Sequence, residues 1–349
     1  MREPGNQHDK KIVCRRRPGI GHRRTAALAG CGGSDSTAAP PVVVNQLFLE
    51  DPHTGEIAAF PTASPDSGTA FASHVVAKPT GASGAMAFDP AHDLLYVAVA
   101  GPSTNTASIQ VFAQADIMTA GTPWRTITFE SGISAFSVIT KLAWEASTDT
   151  LWVYGRNESG VSALAGGSLL AIAHASNVSG QVSGAGTVSV RTGSTTTSFA
   201  YDAVRDVAFA SGVEDAGGNL VAGVAVFSAA STKFSTSGLT GPTGTIDIPG
   251  AVDVAHDASH DILYVADSQH GLWVVQQASS ATPVLVGPIT MTQVGSVSVD
   301  AVTDRLVVGA GTSAYVFDHA STLTAASVFP SAAVVTTGSG VISSAAFNN

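Results

Sequence analysis

Short apolar runs broken by turns fill the chain from about residue 42 to its end. One run recurs six times, as IAAFPTAS (57–64), IQVFAQAD (109–116), LLAIAHAS (169–176), VAVFSAAS (224–231), LWVVQQAS (272–279) and AYVFDHAS (314–321). A second run alternates with it: AMAFDPAHDLLYVA, LAWEASTDTLWVY, FAYDAVRDVAFA, VAHDASHDILYVA and VSVDAVTDRLVVG. Apolar and small residues alternate with period two on either side of a polar turn, so each copy predicts strand, tight turn, strand. An acid opens each turn and an Asp follows four residues later. The opening acid is suited to accept backbone N–H groups as an Asx-type turn.

A sixth hairpin is split between the chain ends. VISSAAFNN (341–349) matches the first strand of the second run, with Asn348 in place of the acid, and LFLED (47–51) matches the second strand LYVAD (263–267). The repeat period is 42 to 60 residues. Four strands per unit, repeated head to tail with a terminal strand exchange, predict an all-β six-bladed β-propeller, its ring closed by the C-terminal strand pairing with the N-terminal blade. Closure removes the unpaired N–H and C=O groups that an open stack would expose.

LYVAD with its downstream VVQQAS, and AFDPAHDLLYVA (87–98), resemble the repeats of the YVTN and NHL types of bacterial propeller, of which the YncE-like proteins are an example. The resemblance covers about residues 42 to 349. It implies the fold and a binding or scaffold role, with calcium-dependent lactonase chemistry known in some related propellers.

Composition narrows the partners. Charged residues are 12% of the chain and the net charge is −10, while eight of the sixteen Lys and Arg residues lie in the first 24 positions. The folded part is therefore acidic and offers no basic face to a phosphate backbone, which argues against nucleic acid. Cys14 and Cys31 are the two cysteines, both precede the repeats, and no CxxC occurs. Disulfide scaffolds and zinc ribbons are excluded for the body. No apolar run approaches the roughly 18 to 20 residues of a membrane-spanning helix.

LAGC (28–31) satisfies the lipobox pattern of an aliphatic residue, a small one, Gly and then Cys, and GGSDSTAAPP after it reads as a flexible tether. The expected organisation is a leader at 1–30, a tether at 31–41 and one propeller at 42–349. Acylation of Cys31 would hold the domain at the bacterial envelope, periplasmic or surface-facing, at the outer membrane, with the lipid as its sole membrane contact. The stretch between Arg24 and Cys31 is only TAALAG, shorter than the apolar core of a signal peptide. A start site or reading frame misassigned upstream of Thr25 reconciles the two; the other reading leaves Cys31 an unprocessed cysteine in a tail.

No GxSxG, HExxH, Walker loop or GxGxxG occurs. The DxxxD pairs recur once per hairpin and read as turn formers, with calcium as the competing reading. His256 and His260 have HxxxH spacing, but these positions do not share a face across a β-turn. His256 occupies the position of Phe88, Trp144, Tyr201, Val299 and Phe347, and so predicts packing. Four positions before each opening acid, at the channel end of the innermost strands, stand Ala85, Lys141, Ser198, Asp253, Ser296 and Ser344. Lys141 and Asp253 are the charges in this ring, and either pair across the channel or orient a polar ligand. Loops at the same end add Arg156, Glu158, Asp267 and His270 as candidate contacts. The leading expectation is a binding or scaffold module for a protein or envelope polymer, without catalytic residues, metal or cofactor. The alternative is a calcium-dependent lactonase-type hydrolase with Asp253 as one ligand.

Overall fold

The computed structural model describes residues 46–50, 55–61, 69–70, 75–77, 79, 82–101, 106–113, 122–129, 136–156, 167–182, 187–189, 198–212, 223–233, 241–328, 330, 334–335 and 345–348. The chain separates into two units, Met1–Val42 and Val43–Asn349, and every described residue belongs to the second. No described helix is long and apolar enough to cross a membrane.

The fold is an all-β propeller. Among the described residues the strands form six sheets, numbered here in chain order. The inner strands of the second to sixth sheets are Ala82–Asp89, Val138–Glu145, Phe199–Asp202, Ala251–Asp257 and Val294–Asp300. The first sheet has Ala345–Asn348 at one edge, paired antiparallel with Gln46–Glu50 from the other end of the unit. Each inner strand packs against the next in this order, and Ala345–Asn348 packs against both Val294–Asp300 and Ala82–Asp89.

Four strands per unit is the pattern of four sheets; the second and sixth carry a fifth. In the second, Gly180–Val182 runs parallel to the outer strand Arg125–Phe129, and in the sixth Thr69–Ala70 runs parallel to Val334–Val335. Both added strands come from the sheet that follows in the cycle, and they cover an edge that would otherwise expose its ladder groups.

Apolar contacts between sheets explain the recurring aromatic positions. The residue before each opening acid meets the middle of the preceding sheet's second strand: Phe88 stacks on Phe48 at 5.2 Å, Trp144 on Tyr96 at 5.8 Å, and Tyr201 tilts against Trp152 at 4.9 Å. Phe48, Tyr96 and Phe209 are fully buried, and side chains of that size carry most of the burial energy between sheets.

Both acids of the DxxxD hairpins are structural, in different ways. The opening acid is an Asx cap: Asp202 Oδ1 accepts from the Val204 and Arg205 N–H groups at 2.9 and 3.1 Å, and Asp89, Asp257 and Asp300 repeat the arrangement. The second Asp takes the left-handed conformation, with φ between 50 and 55° at Asp149, Asp206, Asp261 and Asp304, a region that Asp tolerates better than most residues. Its carboxylate holds the serine that ends the other repeat. Asp261 accepts from Ser279 N at 3.0 Å and from Ser279 Oγ at 2.8 Å, and Asp149–Ser176, Asp206–Ser231 and Asp304–Ser321 are the same clasp. The Ala before each serine donates its N–H to the carbonyl of the same Asp and is buried. Hence the two recurring runs are two halves of one lock within each of these sheets.

Candidate functional site

The inner strands of the second to sixth sheets line a central cavity of about 570 Å³. Its wall is largely small and apolar, set by the Ala, Val and Ser residues of these strands, and it contains Lys141, Ser198 and Asp253 near one end. The two charges flagged in the sequence converge: Lys141 Nζ donates to Asp253 Oδ1 at 2.8 Å, with the side chains 22% and 10% exposed.

Asp253 is more than one half of an ion pair. Ser198 Oγ and the Val254 N–H also donate to Oδ1, and the Val297 N–H donates to Oδ2 at 2.8 Å. Lys141, Ser198 and Val297 stand on or beside the inner strands of the third, fourth and sixth sheets, so one carboxylate on the fifth gathers donors from all three. A charged acceptor with this many donors in a partly dry site is held in one position.

Asp267 and His270 lie at the same end, since Asp267 stands opposite Ala251 in the ladder. Asp267 is buried, and its acceptors are filled from its own loop: Gln269 N at 2.8 Å and His270 N at 3.1 Å on Oδ1, His270 Nδ1 at 2.8 Å and Trp273 Nε1 at 3.1 Å on Oδ2. Burial raises its pKa, but the Gln269 N–H and the His270 and Trp273 donors outweigh burial and hold it below the usual carboxylate value. Asp267 therefore shapes the loop, and the loop residues Ser268, Gln269 and His270 are what it exposes. Gly250 is required beneath it, because a Cβ there would meet Asp267 Oδ1 at 2.0 Å.

Arg156 ends the strand Thr150–Arg156, and its backbone pairs with Val138 and Gly167. Glu158 and Cys31 lie outside the described residues. The ring position supplied Lys141 and Asp253 as candidates, and Ser198 stood in the same ring without being one. The donor at Val297 is a backbone group and leaves no mark in the side-chain pattern. D-x-x-H does leave one: Asp267–His270 repeats the spacing of Asp89–His92 and Asp257–His260, where the histidine Nδ1 bonds its own turn acid at 2.7 Å.

No family model and no curated protein matches the sequence. Solved structures do match the fold. A chain of the crystal structure of a nidogen/laminin complex has a TM-score of 0.50 at 10% identity, covering 87% of this chain and 98% of that one. A chain of Kuenenia stuttgartiensis hydrazine synthase has a TM-score of 0.50 at 12% identity, covering 78% and 80% respectively. At these identities the likeness is one of fold, the β-propeller.

Proposed function

We propose that this chain is a binding module for a protein or an envelope polymer, built as a six-bladed propeller and held outside the cytoplasm by a lipid on Cys31. In this reading each of the six sheets is a blade, and Ala345–Asn348 closes the ring through its ladder with Gln46–Glu50. The repeats resemble those of the YVTN and NHL bacterial propellers, which supports a binding or scaffold role.

One observation carries the reading: the Asp253 carboxylate accepts hydrogen bonds from donors of three other sheets. The group best placed for cation or acid–base chemistry is a strut. A strut at the channel fixes the frame, and recognition then falls to the loops that the frame holds, including Ser268 to His270. A chain of a nidogen/laminin complex shares the fold, which supports protein as the first ligand class to try.

The test is capture from envelope extracts by the immobilised full chain, run beside the double variant Gln269→Arg, His270→Glu. A species retained by the parent and lost by the variant supports the reading. Identical retention, or none, sinks it.

A further inference from the structure

Where the fourth sheet meets the fifth, the chain departs from its own repeat. The position that packs against the preceding sheet is Phe88, Trp144 or Val299 at other junctions and His256 here. The imidazole does pack, with its ring 5.0 Å from that of Phe209, and its side chain is 1% exposed. Neither ring nitrogen has a hydrogen-bond partner. Both are aimed at carboxylates: Nε2 lies 3.5 Å from Asp261 Oδ1 and Nδ1 lies 4.0 Å from Asp202 Oδ2.

We propose that His256, Asp261 and Asp202 form a site for one divalent transition cation of the zinc or cobalt class, joining the fourth sheet to the fifth. One ligand atom from each of the three residues falls within 4.8 Å of the others. A tetrahedral shell with bonds of about 2.0 to 2.2 Å sets its ligand atoms roughly 3.3 to 3.6 Å apart. The Nε2 to Oδ1 separation of 3.5 Å already has that span, and closing the remaining gaps, each within 4.8 Å, completes three protein ligands and a water. An imidazole among the donors favours zinc, cobalt, nickel or copper over magnesium or calcium, which prefer oxygen.

The surrounding groups suit this use. Asp202 Oδ1 is fixed by the Val204 and Arg205 N–H groups, and Asp261 is fixed by Ser279, so both carboxylates are oriented before any ion arrives. Arg205 Nη1 bonds Asp202 Oδ2 at 2.8 Å and its Nε stands 3.9 Å from Asp261 Oδ2. Against two carboxylates it leaves one net negative charge, and Asp257 beside them is bonded by His260. The guanidinium is thus an outer partner of Asp202, and the proposed ion shares that carboxylate with it. Burial lowers the pKa of His256, so the ring is in its neutral, ligating form at neutral pH.

The other junctions serve as an internal control. Asp89, His92 and Asp149 also cluster, but there His92 is half-exposed and bonded to Asp89, and Trp144 stands at the packing position. A buried imidazole with neither nitrogen hydrogen-bonded occurs among the described residues only at His256.

The decisive measurement is a cobalt titration of the chelator-stripped full chain, followed by absorption and by thermal unfolding. Expected are the visible bands of four-coordinate Co²⁺ saturating at one equivalent, their loss on adding Zn²⁺, and a higher unfolding midpoint. His256→Phe restores the residue type of Phe88 and should weaken binding by at least about 10-fold. Asp261→Asn is the second variant, with the same expected loss. Equal cobalt binding by parent and variants overturns the proposal, and so does the absence of bands and of any midpoint shift at saturating Zn²⁺.

Discussion

Lys141 Nζ and Asp253 Oδ1 are 2.8 Å apart although 112 positions separate the residues in the chain, and the sheet between them contributes Ser198 to the same carboxylate. Removing either partner is expected to be unequal in cost. Asp253→Ala strands the ammonium and the Val297 N–H together and should destabilise by about 3 kcal/mol. Lys141→Met leaves three neutral donors on Asp253 and should cost about 1 kcal/mol. Urea unfolding midpoints check the order, and a larger loss from Lys141→Met would contradict the description of Asp253 as the hub.

Asp267 gives the fold a dependence on acid. Its folded-state pKa lies below its unfolded value, so its contribution to stability is full above the unfolded value of about 3.9 and is lost as pH falls through the folded value. Asp267→Asn should lower stability at neutral pH by about 1 to 3 kcal/mol. The gap between variant and parent should narrow as pH drops below about 4. A constant gap across that range would mean the carboxylate charge is not what holds the loop.

The serine clasps predict matched, additive losses. Ser231→Ala, Ser279→Ala and Ser321→Ala each remove one Oγ–H donor from the left-handed Asp of a different sheet. Each should cost about 1 kcal/mol, and the triple variant about the sum, because the sites share no partners. Strong non-additivity would show that the sheets do not lock independently.

Truncation after Gly340 removes the strand that pairs with Gln46–Glu50. The freed edge should lower the unfolding midpoint and produce concentration-dependent association on size-exclusion chromatography. An unchanged midpoint and a monomeric profile would deny the terminal strand a closing role.

Mass spectrometry of the mature N-terminus tests the anchor. Acylated Cys31 as the first residue is expected, and an unmodified Cys31 still preceded by Gly30 refutes it.

Much of the fold was legible because its chemistry is local. The opening acid caps N–H groups two and three residues on, and any reading of turns finds it. Its companion was legible as a turn former and not as a clasp, because the serine it holds lies 17 to 27 residues further along. The recurring Ala-Ser was the visible sign. Asp253 and Lys141 stood out by position, and their contact depends on how sheets are arranged, which spacing does not encode. His256 was readable as a packing residue. The two carboxylates around it come from different sheets and were not readable as its neighbours. Asp267 and His270 looked like loop contacts until their spacing is compared with the hairpin turns.

A propeller of near-copies has an assembly problem: any unit can dock against the wrong neighbour, and misassembly of this kind is a characteristic failure of repeat proteins. Aromatic packing and serine clasps recur in several sheets and cannot tell one from another. Asp253 can, since its register position is Ala85 in the second sheet and Ser296 in the sixth, and its donors are in place only when the third to sixth sheets follow one another in sequence. One asymmetric carboxylate thus works as an index mark, penalising any other order of the third to sixth sheets.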